Sequence, residues 1–374
     1  MSERSGLLLR SACWLAVLAA CARPAAERVR QDEEVGQAEI PELTVQIDSG
    51  HAAVRSLAPG YVSLWAAAPR LSGQLSLRGA PPAELWLEVA NCMPAAELVL
   101  KPSVALLSSE RDAGSVCRFQ LGELAERLPE RDGERVLRFQ LAPPESERPG
   151  TFRFAVMSDV QEAIDDVQDI YQRLNQEPDV DFLLGAGDLT QQGTREQLER
   201  FQLELMGSRI PYYTTLGNHE LGQSPTLYQE FFGRGSQSFE YRGVRFSLLD
   251  SASATIDPAV FDWLEDWLAR GANQLHVVAM HIPPLDPIGV RNGAFASRAE
   301  AAKLLARLAQ ADVDLTLYGH IHSYYRFDNA GIPAFISGGG GAIPERFDQM
   351  GRHFLVVDAD AVAQTLSVRV VRVD

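Results

Sequence analysis

The sequence predicts a layered α/β domain preceded by a small all-β domain. Up to about residue 141, short segments alternate between apolar and polar residues and are separated by Pro and Gly, a pattern typical of strands and turns. From about residue 151, short apolar runs alternate with segments of helical periodicity, which favours a layered α/β domain with much of its sheet buried on both faces. At about 150 residues per domain, the 374 residues suffice for roughly two to three domains.

The first folded region is expected over 43–141, as a small antiparallel β-sandwich. Alternation is clearest at 74–78, 85–89 and 136–141. This region contains one histidine, His51, and no cluster of catalytic residue types, so packing or framing of a substrate is its expected role. A Pro-rich linker is expected over 142–150.

The N-terminus resembles a bacterial lipoprotein signal. Arg4 and Arg10 precede an apolar run over 11–20 that is too short to span a bilayer, and the run ends in Leu18-Ala19-Ala20-Cys21. The resemblance implies a signal peptide over 1–21, lipidation of Cys21, and an extracytoplasmic protein tethered to a bacterial membrane, in the periplasm or at the cell surface. A plain signal peptide or a cytosolic protein with an apolar start are the alternatives. The polar segment 22–42 is expected to be a disordered tether.

Cysteine usage is consistent with export. Cys13 lies within the signal, so an exported chain retains Cys92 and Cys117, which we expect to form a disulfide. Closing the loop between Cys92 and Cys117 contributes about 3.5 kcal/mol to stability in the chain-entropy model. Two buried free thiols are the alternative.

The second region shows the elements of an α/β domain in order. Strands are predicted at 152–157, 182–186, 212–216, 245–249, 275–280, 315–318, 334–337, 354–357 and 366–373. Helical spacing over 164–174, capping boxes at 194–197 and 297–300, and Asp257-Pro258 predict four helices. Trp263 and Trp267, four residues apart, are expected to pack in a core.

Polar side chains with metal-ligand chemistry follow five of the predicted strands. They are Asp159 and Gln161, Asp188, Asn218 with His219 and Glu220, His281, and His320 with His322. Loops at the carboxyl ends of strands converge at one edge of a sheet, so we expect these groups to meet. Because a buried charge without a partner costs several kcal/mol, such a cluster requires counter-charges, and divalent metals supply them.

The order and spacing of these residues over 152–342 resemble the calcineurin-like metallophosphoesterase family. The family pattern is D-x-H, G-D, G-N-H-[DE], a lone H and G-H-x-H, and its last four blocks match at 187–188, 217–220, 281 and 319–322. The first block is a D-x-Q variant, because Gln161 stands where many members have histidine. An amide oxygen is a harder and weaker donor than imidazole nitrogen, which leaves the affinity and identity of one metal open. The resemblance implies a catalytic domain over 151–374 with a β-sandwich core flanked by helices.

The resemblance also implies a ligand set for two divalent ions, Mn, Fe or Zn. The first ion would be held by Asp159, His322 and possibly Gln161. The second would be held by Asn218, His281 and His320, and Asp188 would bridge the two. His219 would not be a ligand, but would stabilise or protonate the leaving oxygen. Glu220 either orients the His219 loop or is a surface carboxylate.

The implied function is hydrolysis of phosphate monoesters or diesters by a hydroxide that two metals activate. The alternative is a metal-loaded binding or scaffold protein with weak or no turnover. Tyr324, Tyr325 and Arg326 could either contact substrate or only pack. A nucleic-acid partner is disfavoured, because the net charge is −16 and the chain has only two lysines, Lys101 and Lys303.

Overall fold

The structure of the chain is a computed structural model that describes residues 25–112, 115–289, 293–345 and 349–373. The predicted signal, with the predicted lipidation site Cys21, lies outside the described residues. Within the described residues, no helix has the length and apolar character needed to cross a membrane.

Two sheets make up the N-terminal part of the described chain. Its elements are α1 (Ala25–Glu34), β1 (Gln37–Ile40), β2 (Leu43–Ile47), β3 (Ala52–Ala58), β4 (Tyr61–Ala66), β5 (Leu71–Arg78), β6 (Glu84–Ala90), β7 (Glu97–Lys101), β8 (Ala105–Arg111), β9 (Cys117–Gly122), α2 (Leu124–Arg127), β10 (Glu130–Arg131) and β11 (Glu134–Ala142). One sheet has the order β1-β2-β5-β11-β10, with β7 also paired to β11, and the other has the order β3-β4-β6-β9-β8.

The two N-terminal sheets share a core because each strand buries alternate side chains. Leu75 and Leu77 of β5 and Leu85 and Leu87 of β6 belong to one buried cluster. A disulfide joins Cys92 to Cys117. The expectation of a purely antiparallel sandwich is wrong for one pair, since β4 and β6 run parallel. The chain leaves the sheet after β4 to form β5 in the other sheet, so β6 can return in the same direction.

The predicted disordered tether over 22–42 is wrong from Ala25 onward. Helix α1 and strand β1 occupy most of this segment, and Arg28, Val29 and Asp32 are buried. Arg28 pairs with Asp250, more than 200 residues away. The segment is therefore ordered by contacts distant in sequence, which its polar local composition does not reveal.

A second pair of sheets follows the predicted linker. Its elements are β12 (Thr151–Met157), α3 (Gln168–Leu174), β13 (Val180–Ala186), α4 (Arg195–Leu205), β14 (Tyr212–Thr215), α5 (Leu227–Phe232), β15 (Gln237–Tyr241), β16 (Val244–Leu249), α6 (Pro258–Arg270), β17 (Leu275–Met280), α7 (Arg298–Gln310), β18 (Leu315–Tyr318), β19 (Tyr324–Asn329), β20 (Ile332–Ser337), β21 (His353–Asp360) and β22 (Thr365–Arg372). The sheet orders are β14-β13-β12-β21-β22 and β15-β16-β17-β18-β20-β19.

These two sheets pack face to face between layers of helices. On β12, Phe154 and Val156 face the core between the sheets, whereas Ala155 and Met157 face α3, α4 and α5. On the other sheet, the outer face packs against α6 and α7. The inner core is continuous with that of the N-terminal sheets. The predicted fold class, a helix-flanked β-sandwich core preceded by a small all-β sandwich, is confirmed.

Three predicted helix starts have the expected caps. The side chain of Thr194 accepts a hydrogen bond from the N–H of Gln197, and that of Asp257 accepts one from Ala259. Ser297 caps α7 in the same way. Trp263 and Trp267 pack against the core beneath α6 and α7, as predicted. Strands β15 and β19 were not predicted; both are edge strands, and β19 is half-exposed and rich in polar residues.

Candidate active site

The predicted ligand residues lie at the carboxyl ends of parallel strands. Asp159 and Asp188 follow β12 and β13, and Asn218 follows β14, the next strand in the same sheet. On the facing sheet, His281 follows β17, and His320 and His322 follow the adjacent parallel strand β18. Both sheets therefore deliver their loops to one edge of the sandwich.

One half of the site is centred on His281. Its Nε2 lies 3.1 Å from Oδ2 of Asp188 and 3.2 Å from Oδ1 of Asn218. Asp188, His281 and His320 each offer one ligand atom, and these atoms all lie within 4.8 Å of one another. This spacing suits a shared metal ion.

The other half of the site contains Asp159, Gln161 and His322. Nε2 of His322 lies 3.5 Å from Oδ1 of Asp159. Nε2 of Gln161 lies 2.8 Å from Oδ2 of Asp188 and 3.1 Å from Nε2 of His322. Asp188 therefore stands between the two halves, and the structure brings all seven predicted ligand residues into one group.

Four of these residues adopt left-handed backbone conformations that side chains other than glycine rarely adopt. The φ angles are 63° at Asp159, 49° at Gln161, 54° at Asp188 and 69° at His320. Such conformations cost about 1 to 3 kcal/mol each and cluster at functional sites. At His320 the backbone N–H donates to both carboxylate oxygens of Asp159, at 3.1 and 3.0 Å, which offsets part of this cost.

Main-chain carbonyl groups orient two of the imidazoles. Nδ1 of His281 donates to the carbonyl oxygen of Ala186 at 2.8 Å, and Nδ1 of His322 donates to that of Ile343 at 2.8 Å. Because a carbonyl only accepts, Nδ1 carries the proton and Nε2 points into the site as a donor for a metal. Sequence reasoning missed these carbonyls, since every residue has one and its direction depends on the fold.

The buried carboxylates create a demand for positive charge. Asp159 and Asp188 are buried, and no Lys or Arg side chain within the described ranges forms an ion pair with either. Burial raises the pKa of Asp159. Burial would also raise the pKa of Asp188, but the charge of His281 holds it well below its usual range. Burial would lower the pKa of His281, but attraction by Asp188 raises it to about 9.

This donor set fits divalent metal ions. Carboxylate oxygen, imidazole nitrogen and amide oxygen are together suited to Mn, Fe or Zn. The carboxylates have only imidazoles as cationic partners among the described residues, so a bound cation would supply the charge that the site otherwise lacks. Turning the Gln161 amide by 180° would present its oxygen in place of its nitrogen.

Glu220 joins two of the ligand loops from beneath. Its carboxylate accepts hydrogen bonds from the N–H groups of Asp188 at 3.0 Å, Gly217 at 2.8 Å and Thr190 at 3.0 Å, and from the hydroxyl of Thr190 at 3.1 Å. Burial, together with repulsion from Asp188, raises the pKa of Glu220 to about 7. The side chain is 1% exposed, so of the two expectations for Glu220 the structure supports the one in which it orients the loops.

Two glycines allow these loops to approach closely. A Cβ atom on Gly217 would lie 2.1 Å from Oδ1 of Asp188. Gly187 has a φ of +84°, and a Cβ there would lie 2.7 Å from the N atom of Gly217. The Gly-Asp and Gly-Asn-His-Glu blocks therefore need glycine for steric reasons.

His219 stands beside the group with its ring held by the main chain. Its Nδ1 donates to the carbonyl oxygen of Gln191 at 2.7 Å, and its backbone N–H donates to Oδ1 of Asp188 at 2.9 Å. Its Nε2 lies 3.8 Å from Oδ2 of Asp188, and the side chain is 28% exposed. The imidazole can therefore reach a molecule bound at the ligand group.

Tyr324, Tyr325 and Arg326 make packing contacts on β19. The ring of Tyr324 packs against the rings of Phe335 and His353. The Arg326 guanidinium lies 5.9 Å from the centre of the Phe335 ring, and Tyr325 packs against the outer core. These contacts agree with the packing alternative for this segment.

Comparison with known proteins points in the same direction as the geometry. Residues 152–324 match the model of the calcineurin-like phosphoesterase family. A 3′,5′-cyclic-nucleotide phosphodiesterase from Nostoc sp. is 29% identical over 159 residues, which cover 40% of this chain and 58% of that protein. Purple acid phosphatase 22 from Arabidopsis thaliana is 29% identical over 173 residues, covering 40% of this chain and 39% of that protein. The match supports the phosphoesterase family predicted from the motifs.

The chain spans about half the length of these curated relatives. Among solved structures, a dimetal phosphatase from Danio rerio is 15% identical, covers 60% of this chain and all of that chain, and has a TM-score of 0.46. All seven predicted ligand residues lie within the matched residues 152–324.

Proposed function

We propose that this chain is a calcineurin-like phosphoesterase that hydrolyses phosphate monoesters or diesters with the aid of two divalent metal ions. The observation that carries the proposal is the convergence of Asp159, Asp188, His281 and His322 at one edge of the sandwich. His219 lies next to them, and its Nδ1 donates a hydrogen bond to the carbonyl oxygen of Gln191. The family match and the phosphodiesterase and phosphatase relatives support the same reaction class.

The predicted ligand residues form two groups, and each group would hold one of the two ions. Asp159, His322 and, with its amide oxygen, Gln161 would hold one ion, and Asn218, His281 and His320 would hold the other. Asp188 would bridge them. Bound divalent ions supply positive charge to the phosphoryl oxygens and lower the pKa of water.

The residues of the chain then position the ester and move a proton. In hydrolysis an oxygen from water forms a bond to phosphorus, and the bond from phosphorus to the alcohol oxygen breaks. The alcohol oxygen must gain a proton, and Nε2 of protonated His219 is suited to donate it, because Nδ1 is already engaged with Gln191. Glu220 keeps the loops of Asp188 and His219 in register.

Turnover of two chromogenic esters tests the proposal. Purified protein, treated with chelator and then supplied with Mn²⁺, Fe²⁺ or Zn²⁺, should hydrolyse p-nitrophenyl phosphate or bis(p-nitrophenyl) phosphate with at least one metal. Chelator should abolish this activity. Two bound ions per chain without turnover of either ester under any metal would instead support the alternative, a metal-loaded binding or scaffold protein.

The glutamine at position 161, where many family members have histidine, is the reason to retain the alternative of a binding or scaffold protein. Its amide lies between Asp188 and His322, where an imidazole would be a stronger metal donor. Gln161→His should therefore raise the affinity for one of the two ions, measured by metal titration.

We further propose that the protein is exported and tethered to a bacterial membrane through lipidated Cys21, facing the periplasm or the cell exterior. The Cys92–Cys117 disulfide supports export, because stable disulfides form in oxidising compartments. The Cys21→Ser variant should move from the membrane fraction to the soluble fraction, and mass spectrometry of the parent should find a lipidated cysteine. Recovery of the unmodified parent in the cytosol would contradict this proposal.

A further inference from the structure

An open pocket of about 530 Å³ lies beside His219. The described residues that line it are mostly uncharged polar side chains: Gln191, Gln192, Thr194, Asn218, His219 and Gln223. Because His219 is the candidate proton donor to the leaving oxygen, the alcohol half of a bound ester would extend into this pocket.

No Arg or Lys side chain is among the described residues that line the pocket. Arg195 follows Thr194 in sequence, but its guanidinium contacts the carboxylate of Glu230 and lies 5.3 Å from the centre of the Phe231 ring. That contact directs it to a different surface depression, which Arg195 and Glu230 line. A phosphate group placed beside His219 would therefore find no guanidinium or ammonium partner here.

The backbone donors that border the pocket are also used within the chain. The N–H of Gln192 donates to Oε1 of Gln197 at 2.7 Å, and the N–H of Arg195 donates to Oε1 of Gln223 at 2.9 Å. The N–H of Gly193 donates to the hydroxyl of Thr190 at 3.0 Å. The start of α4 is thus capped by the chain itself and does not offer these groups to an anion.

Three side-chain amides remain available for hydrogen bonding. Those of Gln191 and Gln192 are exposed and form no hydrogen bond with any described residue, and Gln223 uses only its oxygen. A carboxamide both donates and accepts, as do sugar hydroxyls and the edges of nucleobases. The pocket therefore matches an uncharged partner that offers several hydrogen-bonding groups.

We propose that this pocket, lined by Gln191, Gln192 and Gln223, binds the alcohol half of the substrate and selects phosphate esters of a sugar or a nucleoside. Esters whose leaving half carries a further phosphate are disfavoured. This inference rests on the proposed function, and it adds the substrate class and the residues that determine specificity. The products are the sugar or nucleoside, whose oxygen takes the proton from His219, and the phosphate, which takes the oxygen from water.

The double variant Gln191→Ala/Gln192→Ala tests the proposal, because it removes two amides but keeps the carbonyl that holds His219. The measured quantity is the ratio of kcat/KM for adenosine 5′-monophosphate or glucose 6-phosphate to kcat/KM for p-nitrophenyl phosphate. We expect at least one of these ratios to fall about tenfold, mainly through KM. The matched control is Gln172→Ala, which removes an exposed glutamine of α3 and should leave the ratios unchanged.

A comparison of substrates completes the test. The parent should hydrolyse adenosine 5′-monophosphate with a higher kcat/KM than adenosine 3′,5′-bisphosphate, an ester whose leaving half carries a further phosphate. Unchanged ratios in the double variant, a preference for the bisphosphate, or turnover of p-nitrophenyl phosphate with none of the sugar phosphate or nucleotide would each overturn the pocket proposal alone. Failure of the parent on every ester, with metal bound, would overturn the proposed function and the pocket proposal with it.

Discussion

Arg28 of the N-terminal helix forms a buried, two-pronged ion pair with Asp250, at the carboxyl end of β16. Nε of Arg28 lies 2.6 Å from Oδ2 of Asp250, and Nη2 lies 3.1 Å from Oδ1. One helical turn later, Asp32 accepts hydrogen bonds from the N–H groups of Gly235 and Ser236 at 2.9 Å. The helix that follows the predicted anchor therefore packs against the C-terminal sheets and is not a spacer.

Further hydrogen bonds connect these contacts to the ligand loops. The hydroxyl of Thr215, just before the Asn218 loop, donates to the carbonyl oxygen of Gly235 at 2.8 Å. The N–H of Ile282, next to His281, donates to the hydroxyl of Ser251 at 2.8 Å. The Asn218 and His281 loops are thus hydrogen-bonded to segments that α1 contacts.

Breaking the ion pair from one side should be strongly destabilising. Arg28→Met leaves the Asp250 carboxylate buried without its partner, and we expect a loss of about 3 to 5 kcal/mol in the free energy of unfolding, measured by urea denaturation. Arg30→Met, on the exposed face of the same helix, should change it by less than about 0.5 kcal/mol. Adding Asp250→Asn to Arg28→Met should recover part of the loss, and a further loss of similar size would contradict this account.

Asp32 should make stability depend on pH. Burial raises its pKa to about 6, above the value of 3.8 expected for the unfolded chain. Between these values the folded protein binds more protons than the unfolded one, so the contribution of this group to stability falls as the pH rises from about 4 to about 6. A pKa raised from 3.8 to about 6 corresponds to about 3 kcal/mol of stability.

The Asp32→Asn variant lacks this dependence. Its stability deficit relative to the parent, measured by urea denaturation, should therefore shrink by about 3 kcal/mol between pH 4 and pH 7, because the titrations of all other groups cancel in the difference. Asp262→Asn, at an exposed position on α6, should show a constant difference. A deficit for Asp32→Asn that stays constant or grows over this range would refute the assignment.

The Glu220 carboxylate should be needed as an acceptor and not only for its size. Glu220→Gln replaces one accepting oxygen by an NH₂ group, which leaves two of its backbone donors without a partner at about 1 to 3 kcal/mol each. We expect lower stability and a reduced kcat on p-nitrophenyl phosphate. Glu199→Gln, on the exposed side of α4, is the matched control and should behave like the parent. Parent-like kcat in Glu220→Gln would show that the loops do not depend on this carboxylate.

Ligand and non-ligand roles should separate in metal content. Asp188→Asn and His281→Ala should each reduce the metal bound per chain, because Oδ2 of Asp188 and Nε2 of His281 lie at the centre of the ligand group. His219→Ala should retain its metal and lose about 10²- to 10⁴-fold in kcat, the range for removal of a general acid. Elemental analysis of the three purified variants, together with kcat, measures both effects. Equal metal loss in all three would place His219 among the ligands.

The sequence by itself determined the fold class, most strands of the α/β region and the identity of the ligand candidates. Apolar periodicity and caps such as Thr194 and Ser297 act over a few residues, so they can be read without knowing the tertiary contacts. The strand-end positions of Asp188 and His281 predicted that the two side chains would meet. The expectation that their strands belong to one sheet was wrong, because β13 and β17 lie in the two facing sheets, whose carboxyl ends reach the same edge of the sandwich.

Only the tertiary structure decided how residues distant in sequence pair. It ordered α1, because the partners that make burial of Arg28 and Asp32 favourable lie about 200 residues away. It also placed Glu220 beneath two loops, packed the Tyr324 ring against that of Phe335, and formed a pocket of uncharged amides beside His219. Burial and hydrogen-bond direction depend on contacts across the whole chain, so they cannot be predicted from local composition.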